Sequence, residues 1–160
     1  MVKLINYNED NLKWLIKLNN ACVPAVNPLT ETELSYIIEQ SDFCMIAYED
    51  KQPLGAVILL REGKAVTSKN YAWHSAKSDK HLYVDRIIIS EQARGLGIGR
   101  QLYEFAFNAA KQQSVPLTAE VNTIPDNPQS HAFHEKLGFK IIGEITHEPD
   151  YAVKFYKYEN

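Results

Sequence analysis

Leu82–Gln101 reads LYVDRIIISEQARGLGIGRQ, and the rest of the chain is ordered around it. Val84–Ile89 is an apolar run broken only by Asp85 and Arg86, the pattern of a buried strand. A polar turn follows, then Arg94-Gly95-Leu96-Gly97-Ile98-Gly99-Arg100, and an amphipathic helix begins at once. Glycines at a helix start leave backbone N–H groups uncovered by side chains. Those donors, with the positive end of the helix dipole, form a site for anions such as phosphates. Two arginines bracket the loop, so a phosphate-bearing ligand is expected at this junction.

Working outward, residues 2–7 alternate enough for a first strand, and Asn8 can cap a helix with Glu9 and Asp10 in its first turn. Leu12, Leu15, Ile16 and Asn19 share a helical face. After a loop punctuated by Pro24 and Pro28, Thr30 and Glu33 form a capping box ahead of Leu34, Ile37 and Ile38. Phe43–Glu49 and Leu54–Arg61 read as a hairpin joined by Asp50-Lys51-Gln52-Pro53. From Glu62 to Lys80 the periodicity fails, and a structureless lid or binding loop is expected. The helix after the glycines runs to about Gln113 with Ile98, Leu102, Phe105, Ala106 and Ala109 inward.

Leu117–Asn122 is the next strand, and Ile124 to Asn127 a turn in which Asn127-Pro128 opens a helix that Gly138 stops. Phe139–Ile145 and Tyr151–Tyr158 close the chain as two strands. The element order is βααβββαβαββ, a mixed α/β sheet of about seven strands with about four helices on its two faces.

The 160 residues suit one domain, 1–160, with a substantial core. A net charge of −3 with no basic run argues against nucleic acid as a partner. Cys22 and Cys44 are too few and too far apart for a disulfide framework or zinc site. There is no signal-peptide pattern and no apolar run long enough to span a bilayer, so a cytoplasmic protein without membrane partners is expected.

Glycine spacing then discriminates among ligands. A dinucleotide fingerprint, G-x-G-x-x-G, fails because Arg100 or Leu102 falls at its last position. A P-loop fails for want of Lys-Ser/Thr. What matches is Arg-x-x-Gly-x-Gly, filled by Arg94, Gly97 and Gly99. With Asn127-x-x-Ser130-x-x-Phe133-His134 and Lys136-Leu137-Gly138-Phe139, it closely resembles the GCN5-related N-acetyltransferase (GNAT) superfamily, whose element order agrees over nearly the whole chain.

The resemblance implies a single α/β (α+β) domain with a mostly antiparallel sheet, and acetyl-CoA as acyl donor. Its pyrophosphate would meet the backbone of Arg94, Gly95, Gly97, Ile98, Gly99 and Arg100. The pantetheine arm would pair with Ile87, Ile88 and Ile89 as an added strand, in a cleft where this strand parts from Leu117–Asn122. Asn122, Asn127 and Ser130 would lie beside it. The implied reaction is direct acetyl transfer to an amine. A coenzyme A-binding module without turnover is the alternative, and a protein using the helix start for another nucleotide is a second rival. A homodimer stays open.

Acetyl transfer needs the amine deprotonated, the carbonyl oxygen stabilised and the thiolate protonated. Many family members place a tyrosine after the aromatic of the last helix; here His134 follows Phe133, either as the acid or base or as a surface histidine. His131 and His134 lack a third ligand for a metal, and no metal is expected. Asp85 and Glu120 are candidate bases on the cleft strands, with an ion pair and an outward polar position as their structural alternatives. The Asn19–Leu29 loop and the Tyr71–His74 segment, with Tyr71 and Trp73 as acceptor contacts, complete the candidate site.

Overall fold

A computed structural model describes residues 1–160. The elements are β1 (Val2–Asn6), α1 (Leu12–Ala21), α2 (Glu31–Gln40), β2 (Phe43–Glu49), β3 (Gln52–Arg61), α3 (Lys69–Lys77), β4 (Leu82–Ile89), α4 (Ile98–Gln112), β5 (Leu117–Ile124), α5 (Pro128–Leu137), β6 (Lys140–Glu148) and β7 (Tyr151–Tyr158). They build one seven-stranded sheet in the order β1-β2-β3-β4-β5-β7-β6. Every neighbouring pair is antiparallel except β4 and β5. That parallel pair holds at only two positions, Leu82↔Leu117 and Tyr83↔Thr118, and the strands then part.

Alternation along β3 supplies both faces of the sheet. Val57 and Leu59 join α4 in the larger core cluster, while Ala56 and Ile58 join α1 and α2 in the second. Helix α4 buries Ile98, Leu102, Ala106 and Ala109, three or four residues apart, on the first face. Leu102 is fully enclosed, and truncating it to alanine would cost about 2–5 kcal/mol. Thr30 and Glu33 close the expected capping box on α2, and Asn127 caps α5 with Pro128 at its first position.

Several boundaries depart from the sequence reading, β6 among them, which runs to Glu148, three residues past Ile145. Segment 62–80 is not structureless: Ser68 caps the 9-residue helix α3, accepting from the Tyr71 amide. Its anchors are Tyr71, His74 and Trp73, mostly polar-tipped residues that give no apolar period. The hairpin turn shrinks to Asp50-Lys51, because Asp50 takes a left-handed φ of 55° and lets Gln52 and Pro53 pair with Glu49 and Tyr48. Strand β5 runs on to Ile124, two residues past the expected end. A bulge matters more for the site. Ile58 opposes Arg86 and Leu59 opposes Val84, so Asp85 is an extra residue where β4 leaves β5.

Candidate active site

The glycine loop has the geometry its sequence demands. Gly95 and Gly97 both sit at φ 81°, where a side chain is strained, and Gly97 begins α4 with no side-chain cap. A Cβ on Gly99 would press against Ile89 Cδ1 at 3.2 Å. The amides of Gly95, Gly97, Ile98, Gly99 and Arg100 take no acceptor within the protein, and the first helical bond is Gln101 N–H to Gly97 O. Five free donors at a dipole's positive end, flanked by exposed Arg94 and Arg100, fit a pyrophosphate.

Where β4 and β5 part, two cavities open. The inner one, about 240 Å³, is lined by Ile87, Ile89, Gly99, Asn127, Ser130 and Phe133 among others. Ile88 is buried, turns its side chain into the α1–α2 core and pairs with Ala56 of β3, so it is Ile87 and Ile89 that line this space. Beyond Tyr83, the edge of β4 that faced β5 has no strand partner, and an extended amide-bearing chain could lie along it. The outer cavity, about 750 Å³, lies between the 23–29 loop, α2 and the start of α3. Ala25, Val26, Asp85, Arg86, Glu120 and Asn122 line both.

Glu120 is half-buried at that junction. The hydroxyl of buried Tyr83 donates to its carboxylate, 2.7 Å from Oε1 and 2.9 Å from Oε2. Burial pushes the Glu120 carboxyl up to about 8, with nearby Asp85 adding to the rise, while Tyr83 and Arg86 oppose it. A carboxyl poised this close to neutrality can both take and return a proton.

Asp85 realises its ion-pair alternative. Its Oδ2 lies 2.7 Å from Arg86 Nε, with both side chains buried. Arg86 also donates to Asn19 Oδ1 at 2.7 Å and Asn27 Oδ1 at 3.1 Å. Asn19 in turn donates to Asn27 O, and Asn20 bonds both the amide and carbonyl of Leu29. The Asn19–Leu29 loop is thereby stapled to β4. Asn122 serves the same loop, donating to Pro24 O at 2.9 Å, so its amide ties two walls of the cleft together.

His134 stands in the inner cavity's wall but not as the expected acid. It is buried, its Nδ1 is 2.7 Å from Ser130 O, and its Nε2 meets the Tyr103 hydroxyl. A carbonyl can only accept, so Nδ1 carries the hydrogen and Nε2 accepts from Tyr103. Burial lowers its pKa to about 4. This neutral imidazole has no proton to give to the cleft. His131 is likewise engaged at both nitrogens, with Tyr156 Oη at 2.7 Å and Asn122 O at 2.8 Å, and no group of three metal-ligating side chains exists.

Tyr71 and Trp73 line neither cavity. Tyr71 is buried and donates to Arg61 O at 2.6 Å. Trp73 stacks on Phe155 with centroids 3.8 Å apart and planes 6° apart, and its ring lies so close to Gly143 that a Cβ there would sit 2.7 Å away. Both aromatics anchor α3 to the sheet. It is Ser68, Lys69 and Asn70, just before them, that reach the outer cavity. Tyr83, Tyr103 and Arg86 are site residues the sequence reading passed over; their apolar or strand context hid them, and only the parting of β4 from β5 exposes them.

Fold and site together join an anion cradle at a helix start, a split parallel strand pair and a half-buried carboxyl at the end of the split. A family model described as "Acetyltransferase (GNAT) family" matches residues 11–139, and the chain belongs to that family. The peptidyl-lysine N-acetyltransferase YjaB of Escherichia coli (strain K12) is 38% identical over 61 residues, covering 38% of this chain and 37% of that protein. The chain thus aligns with little more than a third of that relative's length. Among solved structures, Arabidopsis thaliana Naa50 with the bisubstrate analogue CoA-Ac-MVNAL superposes with a TM-score of 0.78, at 21% identity over 99% of each chain. The ribosomal-protein-S18-alanine N-acetyltransferase from Escherichia coli gives 0.73 at 15% identity, over 99% of this chain and 93% of that one. At such identities the likeness is one of fold.

Proposed function

We propose that the protein transfers the acetyl group of acetyl-CoA directly to an amine, within a ternary complex. The observation that carries this reading is the position of Glu120, at the one place where the phosphate-cradle side and the acceptor side of the cleft meet. The amides of Gly95, Gly97, Ile98, Gly99 and Arg100 hold the pyrophosphate, with Arg94 beside them. Backbone of Ile87–Ile89 pairs with the pantetheine amides, and Asn127 and Ser130 flank the arm. Asn122 acts indirectly, by holding the 23–29 loop.

Ionised Glu120 takes a proton from the acceptor ammonium, freeing a lone pair for attack on the thioester carbon. An unpaired backbone N–H on the β4 edge, at Ile87 or Ile89, steadies the carbonyl oxygen as it gains charge. As the carbon–sulfur bond breaks, Glu120 passes its proton to the sulfur. It then takes the surplus proton from the new amide nitrogen and releases it to solvent. One proton leaves per turnover, and no histidine is needed.

The test is release of free thiol from acetyl-CoA on adding primary amines. Acceptor-dependent release that Glu120→Gln suppresses is expected; tight coenzyme A binding with no release from any amine would favour a binding module. Calorimetry with ATP and NAD should show weaker binding than coenzyme A, and the reverse order would sink the ligand assignment. No helix is long and apolar enough to cross a membrane. Two free cysteines fit a reducing, cytoplasmic setting. The negative net charge fits a protein without nucleic-acid partners. Exposed Ile141, Ile142 and Ile145 on edge strand β6 fit a homodimer.

A further inference from the structure

We propose that the acceptor is a monoamine carried on an apolar body: one cationic nitrogen, no second charge, and no carboxylate beside it. The inference rests on the acetyl-transfer reading and adds the substrate class. Its ground is the charge balance of the outer cavity, whose only charged side chains are Glu33, Lys69, Asp85, Arg86 and Glu120.

Asp85 and Arg86 cancel in a buried pair, and Arg86 spends further donors on Asn19 and Asn27. No free guanidinium edge is built to grip an acceptor carboxylate. Glu33 and Lys69 are both exposed and opposite in sign, and Glu33 is held in the α2 capping box. Both stay hydrated at exposed positions, so the one unpaired charge in the partly buried part of the cavity is Glu120, at the inner end. A single ammonium has its counter-ion there, and a second one has no buried counter-ion.

The walls carry the other half of the argument. Val26, Leu29, Ile37 and Val66 help give the wall more apolar than polar surface, beside neutral Asn27, Thr32, Thr67 and Asn122. Of its three tyrosine hydroxyls two are spent as donors, Tyr36 to Ala65 O and Tyr83 to Glu120, while Tyr151 accepts from Asn70 Nδ2 at 2.8 Å. At about 750 Å³ the cavity lies within the range of ~300–1,000 Å³ usual for small-molecule sites. Its chemistry suits either a free alkyl- or arylalkylamine or a peptide N-terminus whose first residues are apolar.

The experiment measures kcat/KM with acetyl-CoA for butylamine, hexylamine, phenethylamine, 1,6-diaminohexane, spermidine and leucine, and for a tripeptide amide beginning with Leu. Each buried methylene should raise kcat/KM about fourfold, so hexylamine should exceed butylamine by roughly fifteenfold. 1,6-Diaminohexane, spermidine and leucine should fall at least about tenfold below hexylamine, since each leaves a charge uncompensated in the cavity. The tripeptide amide, if it exceeds hexylamine, identifies a peptide N-terminus as the source; if it falls below, a free amine. A diamine or polyamine preferred by the unaltered protein, or no dependence on chain length, overturns the inference while leaving acetyl transfer intact. No turnover of any amine despite coenzyme A binding overturns both.

Discussion

Replacing His134 by phenylalanine separates a chemical role from a structural one. If His134 protonated the thiolate, its loss would cost the ~10²–10⁴-fold typical of general acid catalysis. The structure predicts otherwise. With a pKa of about 4, only about one molecule in a thousand carries the imidazolium at pH 7. Its two ring nitrogens are already matched to Ser130 O and Tyr103 Oη. The Ser130 carbonyl lies in α5 and keeps its place in the helical ladder, but the Tyr103 hydroxyl, itself buried, loses its acceptor. An unsatisfied buried hydroxyl costs about 1–3 kcal/mol. His134→Phe should therefore lower stability by about that much in urea unfolding, and kcat by less than about threefold. Tyr103→Phe removes the other partner, so the double variant should recover most of the loss, with a coupling energy of about 0.5–3 kcal/mol. A kcat reduced a hundredfold in a stably folded His134→Phe protein would return His134 to the chemistry.

Other outcomes follow from the same contacts. His74 and His81 are fully buried and burial lowers both to about 4, below the ~6.5 of an unfolded histidine, so they stabilise the fold above pH ~6.5. That contribution, of order 3 kcal/mol each by the size of the shift, is lost as pH falls from ~6.5 towards ~4. Denaturant midpoints should drop through that window, and constant midpoints between pH 7 and 4.5 would count against it. Gly143→Ala drives a methyl into the Trp73 ring, which is pinned on Phe155, and should cost about 1–3 kcal/mol in thermal unfolding. A neutral change would show that α3 is not anchored there. Tyr83→Phe removes a hydrogen bond that favours ionised Glu120, so the alkaline rise of kcat/KM should move to higher pH; an unmoved rise would mean that another group is titrating.

What the sequence makes legible is local. Thr30 and Glu33, Asn127-Pro128 and the glycine spacing act within a few residues, and each stands in the structure as read. Helix α3 was hidden because Tyr71, Trp73 and His74 bury themselves through ring faces and hydrogen bonds rather than through an apolar period. The roles of Asp85 and His134 were ambiguous for a different reason. Asp85 depends on a bulge that places it beside Arg86, and His134 on a tyrosine 31 residues earlier in the chain. Glu120 sits in an alternating strand, where an outward polar position is the ordinary reading. Only the parting of β5 from β4 after Thr118 turns it into the meeting point of two cavities.

In the proposed mechanism one carboxyl, Glu120, manages the protons of transfer. Its most direct test is kcat/KM for a primary amine as a function of pH, compared between the unaltered protein and Glu120→Gln. A rise through about pH 8 is expected as Glu120 ionises, absent from Glu120→Gln, which should retain only the rise near pH ~10 set by the acceptor ammonium and fall ~10²–10⁴-fold in rate at pH 8. A Glu120→Gln protein with the same profile and rate as the unaltered one would contradict it.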